Sequence, residues 1–303
     1  MREQASLASG GDRYGRRQAY WRSDRGIVKC ETATLPSKRR GELFDLERIE
    51  RSGLAYYRNE HWRGLRHGIF TRRGGASRGQ WTSLNVGGSI GDDSAAVGEN
   101  HRRMYDAVKA QGDRATTTWL VHGTDILTVD APRNGKSWPA KADGMITDQP
   151  NLTLVMRFAD CVPLLLYDPV KRAIGLGHAG WRGTVNGIAA KIVNAMGNAY
   201  GSSPHDIQVV IGPAISHPNY QVGSEVVSAA FNYFGEDSGV VRIDPKDGAA
   251  CLDLWLANQL DLQRAGVEDV EVLRLCTYEN TDDFFSHRAE QGKTGRFGVV
   301  ISL

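Results

Sequence analysis

The sequence predicts an α+β fold: one domain with a mixed, substantially antiparallel sheet system and helices on its outside. Three observations carry this. Apolar runs of strand length crowd the middle of the chain at 152–158, 163–167 and 173–177, and Asp168-Pro169-Val170-Lys171 joins the last two as a tight turn between antiparallel neighbours. Helical periodicity governs 97–108 and 185–196 instead. No internal repeat and no break in composition follows residue 44, so residues 44–303 read as a single domain.

Residues 1–43 read as a basic, disordered tail. The first 40 hold ten Lys/Arg against four Asp/Glu, are rich in Gly, Ser and Arg, and lack apolar periodicity. From 44 onward, Gly74-Gly75 turns the chain toward Ser83-Leu84-Asn85, and Gly91-Asp92-Asp93-Ser94 marks a helix start. Positions 97, 104, 105 and 108 share one face of that helix, and Gly112 closes it. A strand over 118–122 is expected next, then a polar loop containing Pro132, Asn134, Gly135 and Pro139. Beyond the three central strands, Thr184 is placed to cap a helix whose buried face is Val185, Ile188, Ala189, Ile192, Val193 and Met196, with Gly201 just past its end. That helix start, with Arg182 beside it, predicts an anion-binding spot near His178. Further on come a strand at 207–211, a helix at 224–234 capped by Ser224, a helix at 253–265, a strand at 271–275 and a closing strand at 297–303.

Composition narrows the class. With 41 % hydrophobic and 24 % charged residues the chain is ordinary for a soluble globular protein. No run approaches the roughly 18 apolar residues of a membrane span, and no apolar segment follows the N-terminal arginines as an export signal requires. Cysteines at 30, 161, 251 and 276 show no paired spacing, which fits a reducing cytoplasm better than a disulfide scaffold. The net charge of +2 hides a tail surplus of six and a body of net −4. Such a tail attracts phosphate backbones in a salt-dependent way, although most basic tails are merely solvated.

Three residues stand out chemically: His122 in Val-His-Gly, Cys161 in Ala-Asp-Cys-Val-Pro, and His178 in His-Ala-Gly-Trp-Arg-Gly-Thr. Each is expected at the end or break of a strand, flanked by Gly, Pro or Asp. Imidazole and thiolate are zinc ligands, and three of them leave a fourth tetrahedral position for water or substrate. Each residue alone has a bland reading as core cysteine or satisfied polar histidine, and residue reasoning leaves both readings standing.

Taken with His-Gly-Ile-Phe-Thr-Arg at 67–72, Ser-Leu-Asn at 83–85, Ala-Asp-Gly at 142–144, Gly-Pro-Ala-Ile at 212–215 and Phe-Phe-Ser-His-Arg at 284–288, these motifs resemble the purine nucleoside phosphorylase and laccase-domain family, which carries a multicopper polyphenol oxidase label and includes the peptidoglycan editing factor. The resemblance runs from about His67 to the C-terminus. It implies a mixed β-sandwich flanked by helices and zinc on His122, Cys161 and His178. One departure is Leu120, where the family usually has Gln before Val-His-Gly. Four-copper oxidation needs on the order of ten histidines, and this chain has eight, only two of them in ligand-like motifs.

Zinc rather than copper is therefore the expected metal, and phosphorolysis of adenosine, inosine or methylthioadenosine, with adenosine deamination beside it, the leading activity that the resemblance implies. The expected partners are a purine nucleoside and phosphate. Arg72, Arg182 and Arg288 are candidates for holding phosphate, Asn85 for a ribose hydroxyl or an adenine edge. Arg182 and Arg288 would alternatively pair only with Asp143 or Asp160, and His67 and His287 are not expected as ligands. A second reading makes Cys161 the nucleophile of a hydrolase that trims amino acids from cell-wall precursors. A third makes the site a non-catalytic metal staple.

Overall fold

The computed structural model describes residues 46–132, 140–245 and 247–303, together with the backbone of a hairpin between β1 (Tyr20–Ser23) and β2 (Gly26–Lys29). The expected tail over 1–43 lies outside the described residues apart from that hairpin, as do Asn134, Gly135 and Pro139 of the expected polar loop.

In chain order the domain comprises β3 (Leu46–Arg51), β4 (Leu54–Asn59), β5 (Arg66–Phe70), α1 (Ser94–Val108), β6 (Ala115–Thr116), β7 (Ile126–Thr128), β8 (Gly144–Thr147) and β9 (Thr153–Phe158). It continues with β10 (Val162–Asp168), β11 (Ala173–Ala179), α2 (Trp181–Thr184), α3 (Ile188–Tyr200), β12 (Gln208–Ile211) and α4 (Ser224–Phe234). The last elements are β13 (Val241–Ile243), β14 (Ala250–Leu252), α5 (Leu254–Arg264), β15 (Asp269–Val272) and β16 (Phe297–Ser302). One six-stranded sheet has the order β3-β4-β5-β16-β9-β6, the other β15-β12-β10-β11-β8-β7. Both are antiparallel at their centres and take a parallel strand at an edge, β6 in the first and both β7 and β15 in the second.

Period-two alternation builds the layers. Met156 and Phe158 of β9, Phe297 and Val299 of β16, Leu165 of β10 and Leu176 of β11 meet in a buried core between the sheets. On the far side of the first sheet, Val155 and Val300 pack against Met104 and Val108 of α1. On the far side of the second, Leu164 and Leu166 pack against α3 and its neighbours, including all six residues of the expected face from Val185 to Met196. Gly175 and Gly177 are what let α3 lie so close, since a Cβ at either would crowd Ile192. The result is the mixed β-sandwich flanked by helices.

Several expectations need correction. Residues 118–122 form no strand; only an isolated bridge from Trp119 to Lys141 remains, because the backbone N–H groups of the next turn are taken by a buried carboxylate. The helix expected after Thr184 breaks in two. α2 ends there, Gly187 at φ 74° reverses the backbone, and α3 starts at Ile188. Its N-terminus is already occupied, because the Asp261 carboxylate accepts the Ala190 N–H at 2.9 Å. The α3 N-terminus is thus filled from within, while Arg182 lies apart from it on α2. Ser224 likewise makes no side-chain cap on α4, whereas Asp93 and Asp253 do cap α1 and α5.

Candidate metal centre

The register of the central hairpin places the site. Val162 of β10 faces Ala179 of β11 and Pro163 faces His178, so Cys161, one residue before β10, falls beside the last residues of β11. His178 points with Ile174 and Leu176 into the sandwich, and its ring lies 5.4 Å from that of Phe158. His122 arrives from a separate turn with a left-handed backbone, φ 58°.

One carboxylate ties that turn to the hairpin. Asp143, fully buried, accepts the N–H groups of Val121, His122 and Gly123 at 3.1, 3.0 and 2.7 Å. Three successive N–H groups curled round an anion form a nest, and filling it fixes the left-handed turn. The same carboxylate lies 2.9 Å from Nδ1 of His178, which leaves Nε2 to face the cluster. The Cys161 side is fixed by Asp160, at φ 83°, whose carboxylate accepts the hydroxyls of Thr277 and Ser286 and the N–H of Arg288, each at 2.7 Å.

The candidate ligand atoms of His122, Cys161 and His178 all lie within 4.8 Å of one another. Bonds of about 2.0–2.3 Å in a tetrahedral arrangement need ligand atoms roughly 3.5 Å apart, so the group fits a metal ion with little movement. Gly180 keeps the space open, because a Cβ there would stand 2.8 Å from the His122 ring and 3.1 Å from the Cys161 sulfur. Electrostatics prepare the ligands. Burial pushes the Cys161 thiol up, but the two imidazoles outweigh it and bring it down toward thiolate. Burial pushes His178 down, and the Cys161 charge and the Asp143 hydrogen bond reverse that.

The candidate arginines separate. Arg182 lies on α2 with its guanidinium 4.3 Å from the Trp181 ring, and with His122 it lines a cavity of about 550 Å³. Arg288 stacks at 5.2 Å over Tyr220 and donates to Gln221 O, while its backbone, not its guanidinium, meets Asp160. Neither guanidinium pairs with Asp143 or Asp160 among the described residues. Arg72 sits elsewhere, over Phe285 at 4.1 Å, donating to Thr82 O, Thr281 O and Glu290. It lines a second cavity of about 830 Å³ with Arg73, Thr82 and Ser83. Asn85 is fully buried, and its amide serves the Gly87 and Arg296 N–H groups, Gly87 O and Asp92.

Of the remaining histidines, His67 accepts the Asn59 N–H and meets Leu65 O, and burial lowers it to about 4. His287 belongs to no metal-binding group among the described residues. Sequence reasoning missed Tyr220, Arg296 and the hub role of Asp143. Tyr220 is pushed up by burial and by the Cys161 charge, while Arg296 is pushed down by burial and supported by the Cys161 and Asp160 charges. Asp143 was visible as Ala-Asp-Gly, but nothing in that tripeptide says which N–H groups it collects.

A family model described as multi-copper polyphenol oxidoreductase laccase matches residues 66–303. The chain belongs to this laccase-like family. A protein of Geobacillus stearothermophilus named purine nucleoside phosphorylase YlmD is 38 % identical, over 77 % of this chain and 88 % of its own. A Deinococcus radiodurans protein named purine nucleoside phosphorylase is 37 % identical, over 78 % and 88 %. The crystal structure of YlmD from Geobacillus stearothermophilus superposes with TM-score 0.80 at 35 % identity, covering 86 % of this chain and 99 % of that one. The family's copper label finds one candidate metal group here, with two histidines in it, among the described residues. No described helix is long and apolar enough to cross a membrane.

Proposed function

We propose that the protein is a zinc-dependent purine nucleoside phosphorylase acting on adenosine, inosine or methylthioadenosine. The observation that carries this is the convergence of one cysteine and two histidines on a point beside an open cavity that also holds the Arg182 guanidinium, which makes no ion pair among the described residues. Relatives named purine nucleoside phosphorylase support the reaction class. Soft thiolate with two imidazoles favours zinc over magnesium or calcium.

Zinc, when bound by His122, Cys161 and His178, supplies Lewis-acid polarisation of an oxygen anion or water. The chain's own residues do the rest. Asp143 holds His122 and His178 in position, and Asp160 holds the turn that carries Cys161. Arg182 grips the phosphate dianion at the cavity, where a planar guanidinium makes two parallel hydrogen bonds, and Arg288 adds positive charge on the Cys161 side. Phosphate then forms a bond to the sugar C1′ as the bond to the purine nitrogen breaks, and the purine leaves with the bonding pair. Arg72 and Asn85, whose polar groups are bonded within the fold, are assigned a supporting rather than a substrate-holding part. Residues 44–303 form the catalytic unit, the basic tail over 1–43 is outside the reaction, and the enzyme works in the cytoplasm.

The test is to quantify bound metal and assay adenosine with and without phosphate, following adenine and inosine separately. Adenine that forms only with phosphate supports phosphorolysis. Inosine formed at the same rate without phosphate would mean deamination instead. A second reading has its own observation: Cys161, His178 and Asp143 lie in a nucleophile, base and orienter sequence. Metal-free protein that hydrolyses a cell-wall amide while leaving adenosine intact would favour that hydrolase.

A further inference from the structure

The cavity at His122 has a second wall, supplied by α4. Glu225, Ala229, Asn232 and Tyr233 stand at i, i+4, i+7 and i+8, one face of a helix. Their neighbours Val226, Val227, Ala230 and Phe234 turn the opposite way into the core. Facing them across the cavity are Trp181, Arg182, Val185 and Asn186 of the α2 segment.

The polar groups on the two walls do not satisfy each other. Tyr233 spends its hydroxyl on Asp261 at 2.7 Å, so it offers the cavity only its ring. Among the described residues the Glu225 carboxylate and the Asn232 amide make no hydrogen bond or ion pair, and Arg182 has only its stack on Trp181. A cavity of about 550 Å³ thus holds a carboxylate and a guanidinium that are not paired with each other, with Val185 and Ala229 also in its lining and His122 at its edge. Its volume is that of a small-molecule site.

We propose that this cavity is a ribose subsite, in which Glu225 accepts the vicinal 2′- and 3′-hydroxyls and Asn232 assists, while Arg182 holds the phosphate near His122. The inference rests on the phosphorylase reading and adds to it the residues that hold the sugar. A carboxylate is acceptor-only and takes two adjacent hydroxyl donors, the way acidic residues hold ribose in dinucleotide sites. A ligand with hydroxyl donors at one end and an anion at the other satisfies both walls at once. A site built to bond a hydroxyl discriminates against the analogue that lacks it.

The experiment uses the full-length, metal-loaded protein and compares kcat/KM for adenosine and 2′-deoxyadenosine at saturating phosphate. Wild type should prefer adenosine, and Glu225→Gln should narrow that preference by about tenfold or more, with bound metal unchanged. Asn232→Ala should narrow it less. Arg182→Ala should instead raise the KM for phosphate while leaving the sugar preference in place, because it acts at the other end. An unchanged ratio in both Glu225→Gln and Asn232→Ala, in protein that turns over nucleosides, overturns the subsite and leaves the phosphorylase reading intact. Wild type inert toward both nucleosides overturns the two together. Calorimetry with free alanine closes the remaining case. Alanine binding that Glu225→Gln abolishes would assign the carboxylate to an ammonium group and overturn the ribose assignment.

Discussion

Two polar corners of this molecule put their polar groups to opposite ends. At one, His122, Cys161 and His178 turn their donor atoms toward a common point, and the carboxylates of Asp143 and Asp160 bind the backbone behind them. At the other, Arg72 turns its donors onto Thr82 O, Thr281 O and Glu290, and Glu290 in turn accepts from Ser286 N and Thr294. Both corners come from motifs that the sequence singles out as candidates. What separates them is where the hydrogen bonds end: the first set leaves atoms unspent at its centre, and the second closes on itself. A charged side chain is available to a ligand only to the extent that the fold has not already used it.

The sharpest way to break this contrast is at the centre of the open corner. Cys161→Ala should lose the metal and bring turnover to background, a larger loss than the roughly 10–100-fold typical of removing an outer partner. Circular dichroism should show the fold retained, and stoichiometric zinc in that variant would sink the ligand assignment.

The closed kind of histidine should declare itself by pH. His67 is buried with both ring nitrogens in use, and its pKa falls from 6.5 to about 4. The unfolded chain therefore takes up this proton first. The associated stability is complete above pH 6.5 and is lost as pH falls toward 4, by up to about 3 kcal/mol. Replacing His67 with Gln should flatten the melting-temperature slope across that window. An unchanged slope would show that His67 takes no part.

Asp143→Asn tests the link between the two candidate ligand histidines. It keeps the shape but weakens the anion that three N–H groups and His178 share, so zinc affinity should fall about 10–100-fold in a chelator competition. Undiminished affinity would mean that the hairpin alone aims the ligands.

Arg72→Ala probes the closed corner. Loss of its charged hydrogen bonds should cost about 2 kcal/mol in urea unfolding, with bound metal unaltered. A raised phosphate requirement without that destabilisation would move Arg72 into the site and erase the contrast. The smallest effect belongs to the tail: a chain beginning at Gly41 should keep its melting temperature and turnover, since the composition ahead of it offers little apolar surface to bury. A large loss of either would show that the tail docks.

Much of the fold was readable one element at a time. The face from Val185 to Met196 and the hairpin turning at Asp168-Pro169 are set by local periodicity and turn chemistry, and both stand in the structure. Where local reasoning failed, a distant residue had intervened. Thr184 loses its capping role because Gly187 reverses the chain and Asp261, far along it, claims the α3 N-terminus. Residues 118–122 lose their strand because Asp143 collects the N–H groups of Val121, His122 and Gly123.

By itself the sequence determined the alternating and helical faces, the central hairpin and which three residues to consider as a candidate metal group, since period, turn propensity and donor chemistry are properties of neighbouring residues. Only the tertiary structure decided that Arg72 and Asn85 spend their polar groups internally while the Arg182 guanidinium, among the described residues, does not, and that α4 forms a wall of the His122 cavity. Those outcomes depend on which groups from remote segments reach a donor first. The balance between an internal hydrogen bond and an open one is settled by packing, and no local pattern records it.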